Sequence, residues 1–243
     1  MDAQVQPDLV FAGERTLYAV YPDRIDPRVN ALVLALFRGL RERALPGIVE
    51  LVPSYRALMI SFDPVAIDDE ALARIVVDTA ATARPDGVER RTITLPVAYG
   101  GAHGPDLEVV TQHAGLSTDE VIDRHTRPLY DVFFLGFTPG FPFLGGLDPA
   151  LATPRRATPR PRVAAGSVGI AGSQTGVYPV SSPGGWNIIG RTPVALFDPR
   201  WGMDAAVLLR PGDRIRFQPM DPESFDAHMA RPTPDSVMGE VAE

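Results

Sequence analysis

The sequence contains no cysteine and no lysine. Without cysteine there is no disulfide framework, no thiol nucleophile and no sulfur-built metal site. Without lysine there is no phosphate loop of the GxxxxGK[ST] kind, and all 23 basic residues are arginines. Long apolar runs are missing too: ALVLALF at 31–37 is far short of the roughly 20 residues that span a bilayer. A formal net charge of −7 argues against a general nucleic-acid or anionic-membrane binder. MDAQVQPDLVFAG at the N-terminus lacks the basic and apolar stretches of a signal peptide, so a soluble, cytoplasmic protein is expected. His103, His113, His125 and His228 form neither HEXXH nor HXH, and no metal site is expected. No GxSxG elbow marks a nucleophilic serine.

What is present has two grammars. With 243 residues, 45% of them apolar, the chain can bury a core in one large domain or two small ones. From about residue 8 to 84, strand and helix patterns alternate. LVFAGERTLYAVYP (9–22) reads as a strand pair or one bent strand. DPRVNALVLALFRGLRER (26–43) carries Val29, Leu32, Val33, Leu36, Phe37 and Leu40 on one helical face, with Asp26 as N-cap and Pro27 at the first position. GIVELV (47–52) and YRALMISF (55–62) read as a hairpin, and DDEALARIVVDTAATA (68–83) as a second helix with acids in its first turn. The expected class is an α+β N-terminal domain, a ferredoxin-like split βαβ unit over 1–90, followed by a mainly β domain over 91–225. RTITLPVAY (91–99) either adds a last strand to the first unit or leads into the second.

The 105–126 stretch reads as a helical insert of two short helices, DLEVVTQHAG and STDEVIDRH. The spacing resembles a DNA-binding helix-turn-helix, but the second helix carries three acids and one arginine where a phosphate-facing helix is basic. A packed helical hairpin is the better reading. Between 128 and 220, LYDVFFLGF (129–137), VAAGSVGIAG (163–172), TGVYPV (175–180), GWNIIG (185–190), PVALF (193–197) and DRIRFQPM (213–220) read as short strands of a barrel or sandwich. DPESFDAHM (221–229) is expected as a terminal helix, and 226–243 as a flexible tail.

Three features carry candidate chemistry. No acid occurs between Asp148 and Asp198, whereas Arg155, Arg156, Arg160, Arg162 and Arg191 do; this suits a carboxylate, a phosphate or an acidic partner, unless acids elsewhere in space balance it. The glycine-rich runs AGSVGIAGSQTG and SSPGGWNIIG place backbone N–H groups beside Ser173, Gln174, Thr175, Ser181 and Ser182, where a small polar ligand would bind, or else they mark bulges and close backbone approach. GFTPGFPFLGG (136–146) sets Phe141 and Phe143 among Pro139, Gly140 and Pro142, as a rigid pocket lining or as a plug of the barrel mouth. His125 is the best general acid/base candidate, with packing as its other reading.

Residues 136–199 resemble a known family through GFTPGFPFLGGL, TPRRATPRPRVAAGSVGIAGSQTGVYP and SPGGWNIIGRTP. The family is that of the B subunit of bacterial 5-oxoprolinase, also labelled allophanate hydrolase subunit 1 or KipI-like kinase inhibitor. The resemblance implies a cyclophilin-like barrel for the second domain and an assembly with the C and A subunits of 5-oxoprolinase as partners. It implies ATP-dependent opening of 5-oxo-L-proline to L-glutamate, with the ATP site on this chain or on a partner. Its motif positions fall on Pro139, Gly140, Phe141, Gln174, Thr175, Tyr178, Ser182, Gly184, Gly185, Trp186 and Arg191. Activating a lactam needs N–H and hydroxyl donors at the carbonyl oxygen and a cation by the transferred phosphoryl group. The glycine/serine/threonine turns, with Gln174, would supply the donors, and Arg191 or Arg155 the cation. Phe141 and Trp186 would wall the ring. Two other roles compete: binding a sensor histidine kinase, and serving a related urea- or allophanate-processing enzyme. A stand-alone prolyl isomerase rests on fold analogy alone.

Overall fold

A computed structural model describes residues 5–85, 90–202, 205–225 and 227. The chain divides into two compact units, residues 1–89 and 90–243.

In the first unit, β1 (Asp8–Phe11) and β2 (Thr16–Val20) are an antiparallel pair. Helix α1 (Pro27–Arg43) starts where proline at its first position fits the helix and the Asp26 carboxylate accepts the Arg28 N–H at 2.7 Å. β3 (Ile48–Pro53) and β4 (Ala57–Phe62) form a hairpin, and α2 (Asp69–Thr82) follows, capped by Asp68. The sheet order is β1-β2-β4-β3, so α1 links two parallel strands with β4 between them. Alternation puts Leu17 and Ala19 of β2 and Leu58, Ile60 and Phe62 of β4 on one face. Val29, Val33, Leu36 and Leu40 of α1 and Leu72, Val76 and Ala80 of α2 bury that face. The position beside β2 is taken by β1, and residues 92–99 do not add a strand here.

They form β5 (Thr92–Tyr99) of the second unit instead. Its sequence carries an apolar residue at every second place, and Ile93, Leu95 and Val97 enter that unit's core. The helical pair follows: α3 (Leu107–Ala114) ends on Gly115 at φ +66°, and α4 (Thr118–Thr126) opens with a reciprocal capping box between Ser117 and Glu120. Then come β6 (Tyr130–Leu135), β7 (Pro142–Gly145), β8 (Arg160–Val163), β9 (Ser167–Ala171), β10 (Gln174–Val177), β11 (Ser182–Gly184), β12 (Asn187–Arg191) and β13 (Arg214–Pro219).

Seven strands make one sheet in the order β10-β9-β12-β5-β13-β6-β7, and its edge strands β10 and β7 pack against each other, so the sheet nearly closes into a barrel. β8 and β11 form a separate two-stranded ribbon. Val168, Ile170, Val177, Ile189 and Ile215 fill the interior, and α3 and α4 lie against β12 and β13. Gly104 permits this approach, because a Cβ there would sit 2.0 Å from the Ile189 carbonyl oxygen.

Two expectations are corrected. PVALF (193–197) is not a strand: Leu196 is buried in the core, and the segment has only an isolated bridge, Phe197 to Val207. PFLG (142–145), within the glycine- and proline-rich stretch, is a strand. Over 221–229 a 3-10 turn at Pro222–Ser224 is followed by Phe225 and Ala227 in helical conformation, and the other positions of the expected helix and of the expected 226–243 tail lie outside the described residues.

Candidate functional site

Strands β9, β10 and β12 are covered on both faces. Their inner side chains join the barrel core. Their outer ones, Ala171 and Ile188, join Phe141, Val163, Tyr178 and Trp186 in a second apolar layer outside the barrel. The glycine runs make that layer possible. A Cβ at Gly176 would lie 3.2 Å from both the Phe141 and the Trp186 rings, and one at Gly184 would lie 2.4 Å from the Tyr178 hydroxyl oxygen. At Gly176 and Gly184 the runs are cut out for aromatic rings. Phe141 meets Tyr178 at 5.5 Å and Trp186 at 5.6 Å, both edge to face, the arrangement favoured by ring quadrupoles. Burial raises the Tyr178 hydroxyl pKa, against a hydrogen bond from the Trp186 backbone and the charges of Arg155 and Arg160. Gly184→Ala should therefore cost about 2 kcal/mol by overpacking, read as a shift in the urea midpoint at unchanged slope; an unchanged midpoint would contradict the tight fit.

The phenylalanine-rich turn divides its rings between three surroundings. Phe141 is 2% exposed at the centre of the layer. Phe143 is partly buried and stacks on Phe134 at 4.4 Å. Phe137 points outward, 67% exposed, at φ +60°. Because Phe141 and Trp186 are 2% and 7% exposed, their surface goes to each other and to Tyr178 instead of walling an open cleft. They form a rigid apolar layer just beneath the surface.

The arginine excess is partly answered by Asp106, which no motif or spacing singles out. Asp106, 3% exposed, accepts from Arg156 Nη1, from both Arg160 Nη atoms and from the Ile188 N–H, at 2.7–2.8 Å. Burial alone would raise its pKa, but the hydrogen bonds from Arg160 and Ile188 and the Arg160 and Arg156 charges outweigh it and hold the carboxyl below its usual range. Its place just before α3 marks it as an N-cap, yet its side chain makes no cap bond. Among the described residues no carboxylate pairs with Arg155, Arg162 or Arg191. Arg162 Nε reaches Ser181 Oγ at 3.0 Å, while Arg191 Nε donates to the Ala165 carbonyl at 2.8 Å with its guanidinium carbon 5.3 Å from the centre of the Phe225 ring.

His125 and Thr175 lie on the opposite, inner side. His125 is fully buried and stacked on Phe217 at 4.6 Å; its Nδ1 meets the Tyr99 hydroxyl at 2.8 Å and its Nε2 meets Thr175 Oγ1 at 2.9 Å. With both nitrogens engaged and no solvent contact, the ring joins α4 to β5 and β10 and is not placed to exchange protons with a substrate. Thr175, also at 0% exposure, spends its hydroxyl in the same chain. Tyr99 is the third member; its place on a strand with alternating burial is the only signal the sequence offers for it.

Of the remaining expected positions, Gln174 is partly exposed and shares the outer side of β10 with Gly176 by strand alternation. Ser182 Oγ in the ribbon and Thr138 Oγ1 in the turn are buried without a partner. The Gly185 carbonyl accepts the Arg156 N–H at 2.8 Å, and Gly140 at φ +79° passes under the Leu196 carbonyl. Pro139 and Arg155 are exposed. Phe141, Phe143, Tyr178, Gly184 and Trp186 thus come together in one layer with Ser182 and Gly185 in the adjoining ribbon, whereas His125 and Thr175 stand apart. No group of histidines and acids able to hold a metal occurs among the described residues, and none of the helices among them is long and apolar enough to cross a membrane.

Residues 7–208 match the family described as carboxyltransferase domain, subdomain C and D. The chain is 42% identical over 227 residues to the 5-oxoprolinase B subunit of Bacillus subtilis, covering 89% of this chain and 94% of that protein. It is 48% identical over 178 residues to the 5-oxoprolinase B subunit of Escherichia coli O157:H7, covering 72% of this chain and 79% of that protein. Among solved structures it resembles TTHA0988, with a TM-score of 0.76 and 40% identity over 85% of this chain; the chain spans 40% of that longer protein.

Proposed function

The chain belongs to the carboxyltransferase-domain family of subdomains C and D and, within it, to the B subunits of 5-oxoprolinase, and from that we propose that it is a cytoplasmic component of an ATP-dependent 5-oxoprolinase complex. The observation that carries this reading is reach: the match at 42% identity spans 94% of a protein named as that subunit. The complex would open 5-oxo-L-proline to L-glutamate together with the C and A subunits as partners. We take the 91–225 barrel as cyclophilin-like and as inactive alone.

The chemistry asked of this chain is positioning. A lactam carbonyl is a poor electrophile, and phosphorylation of its oxygen by ATP makes it a good one. The nucleotide is taken as bound at the level of the complex, on this chain or on a partner, and the missing lysine rules out only a phosphate-loop site here. This chain then contributes an apolar floor, Phe141 and Trp186, that sheds water beneath a small cyclic amide. Gln174, partly exposed on the outer side of β10, supplies hydrogen-bonding groups at its rim. Arg191, charged and without a carboxylate partner among the described residues, offers a positive field to a developing phosphate. The test is ATP-dependent glutamate release from 5-oxo-L-proline by a mixture of the C and A subunits, with this chain present or omitted. Turnover should vanish on omission and return on add-back. Full turnover without the chain would end the enzyme reading and bring the kinase-binding role forward.

A further inference from the structure

We propose that the outer face of the barrel is a protein-docking surface: Phe137 is its aromatic anchor, Arg155 and Arg162 on the ribbon side form a cationic flank, and the partner presents a carboxylate-rich surface around an apolar recess. Phe137 is a large ring, 67% exposed, on a backbone at φ +60° that non-glycine residues rarely adopt. The turn holding it is closed by backbone bonds from Thr138 N to the Gly136 carbonyl, from Phe141 N to the Thr138 carbonyl and from Gly136 N to the Phe141 carbonyl. Its ring stands edge-on to Phe141 at 5.5 Å, and Phe141 is fixed in turn by Tyr178 and Trp186. An exposed anchor already immobilised in this way loses little entropy on binding.

The ribbon is prepared similarly. Arg156 and Arg160 turn inward to Asp106, whereas Arg155 and Arg162 are exposed with no carboxylate partner among the described residues. Asn187 Nδ2 holds the Pro154 carbonyl at 2.8 Å, and the Arg156 N–H holds Gly185. Pro154, Pro159 and Pro161 stiffen the exposed side. The turn and the ribbon side border the same aromatic layer: Phe137 stands on Phe141, Phe141 meets Tyr178 at 5.5 Å, and the Arg155 charge acts on the Tyr178 hydroxyl. Aromatic and arginine side chains are the types enriched at interface hot spots, and guanidinium forks select carboxylates. A small anion would use the arginines but would have no need of the ring.

The partner used in the test rests on the reading above: binding of the full chain to the purified C and A subunits, measured by calorimetry at low and moderate salt. Phe137→Gly removes the ring and relieves the backbone, so it should leave thermal stability intact while weakening binding at least about tenfold, the loss expected of an anchor residue. Arg155→Glu with Arg162→Glu should weaken binding about a hundredfold and remove most of its salt dependence. Wild-type affinity in both variants would overturn the docking surface while leaving the role in the complex standing. Failure of the wild-type chain to bind either of the two would overturn both. Loss of binding only in the arginine variant, with inorganic phosphate competing against the wild type, would make the patch a small-anion site and also overturn the proposal.

Discussion

Replacing Asp106 by asparagine should lower the unfolding free energy by about 3 kcal/mol, the lower end of what removing one partner of a buried ion pair costs. The carboxylate is 3% exposed and receives two guanidinium groups and one backbone N–H. Asparagine keeps the shape but turns an –NH2 toward those donors and leaves both arginines without their counter-charge. The loss stays at the lower end because Arg156 and Arg160 side chains are 32% and 25% exposed, so water recovers part of their solvation. The damage should be local as well as global. Arg156 and Arg160 are the inward staples of the β8–β11 ribbon, and without them the 153–163 segment should open ahead of the barrel. Limited trypsin digestion reads this directly: the bonds after Arg155, Arg156 and Arg162 should resist cleavage in the wild type and be cut early in the variant. Equal urea midpoints and equal tryptic resistance would show that the Asp106 pairs hold nothing together.

Asp106 also marks where sequence reading stops. The elements of the first unit were legible because each has one buried face and an undisturbed period, as in the alternation of ALMISF and the capped 27–43 helix. In the second unit the signals conflict. PVALF is apolar enough for a strand, but its Leu196 is drawn into the core and it finds no ladder partner beyond a single bridge. PFLG and RPRV look like loop because proline and glycine dominate the stretches around them, yet each is a short strand against one neighbour, where proline is tolerated. The arginine excess over 149–197 was visible and demanded an acid, but nothing local says that the acid lies 50 and 54 residues away, before a helix, where it would normally cap. The motif-rich stretch holds the rings of the aromatic layer, Phe141, Tyr178 and Trp186. Which ring faces out, Phe137 rather than Phe141, depends on one left-handed residue that spacing does not encode.

His125 should make the protein lose stability between pH 6.5 and 4.5, with a slope that rises toward about 1.4 kcal/mol for each unit of pH and a loss of about 2.3 kcal/mol over the two units. The hydrogen bonds fix its neutral form. Thr175 Oγ1 gives its proton to the Gly169 carbonyl at 3.1 Å, so it must accept from Nε2–H, and Nδ1 is left to accept from the Tyr99 hydroxyl. A second ring proton would face a donor in a site without water, and burial lowers the pKa from 6.5 to about 3. A histidine whose folded pKa is depressed contributes its stability in full above the unfolded value. That contribution is lost as pH falls from there toward the folded one, because only the unfolded chain takes up the proton in that range. Asp106 does not confuse the window, since its pKa is lowered from 3.8 and its loss begins at more acidic pH. Urea titrations at pH 6.5, 5.5 and 4.5 should therefore show the fall in the wild type. His125→Gln, less stable at pH 6.5, should show a slope shallower by close to one proton. Parallel slopes would mean that His125 titrates freely, and that its burial between α4 and β10 is wrong. The buried ring is removed from catalysis on the same grounds: it is neutral across the working range with both nitrogens committed, so an activity transition near pH 6 to 7 must belong to another group.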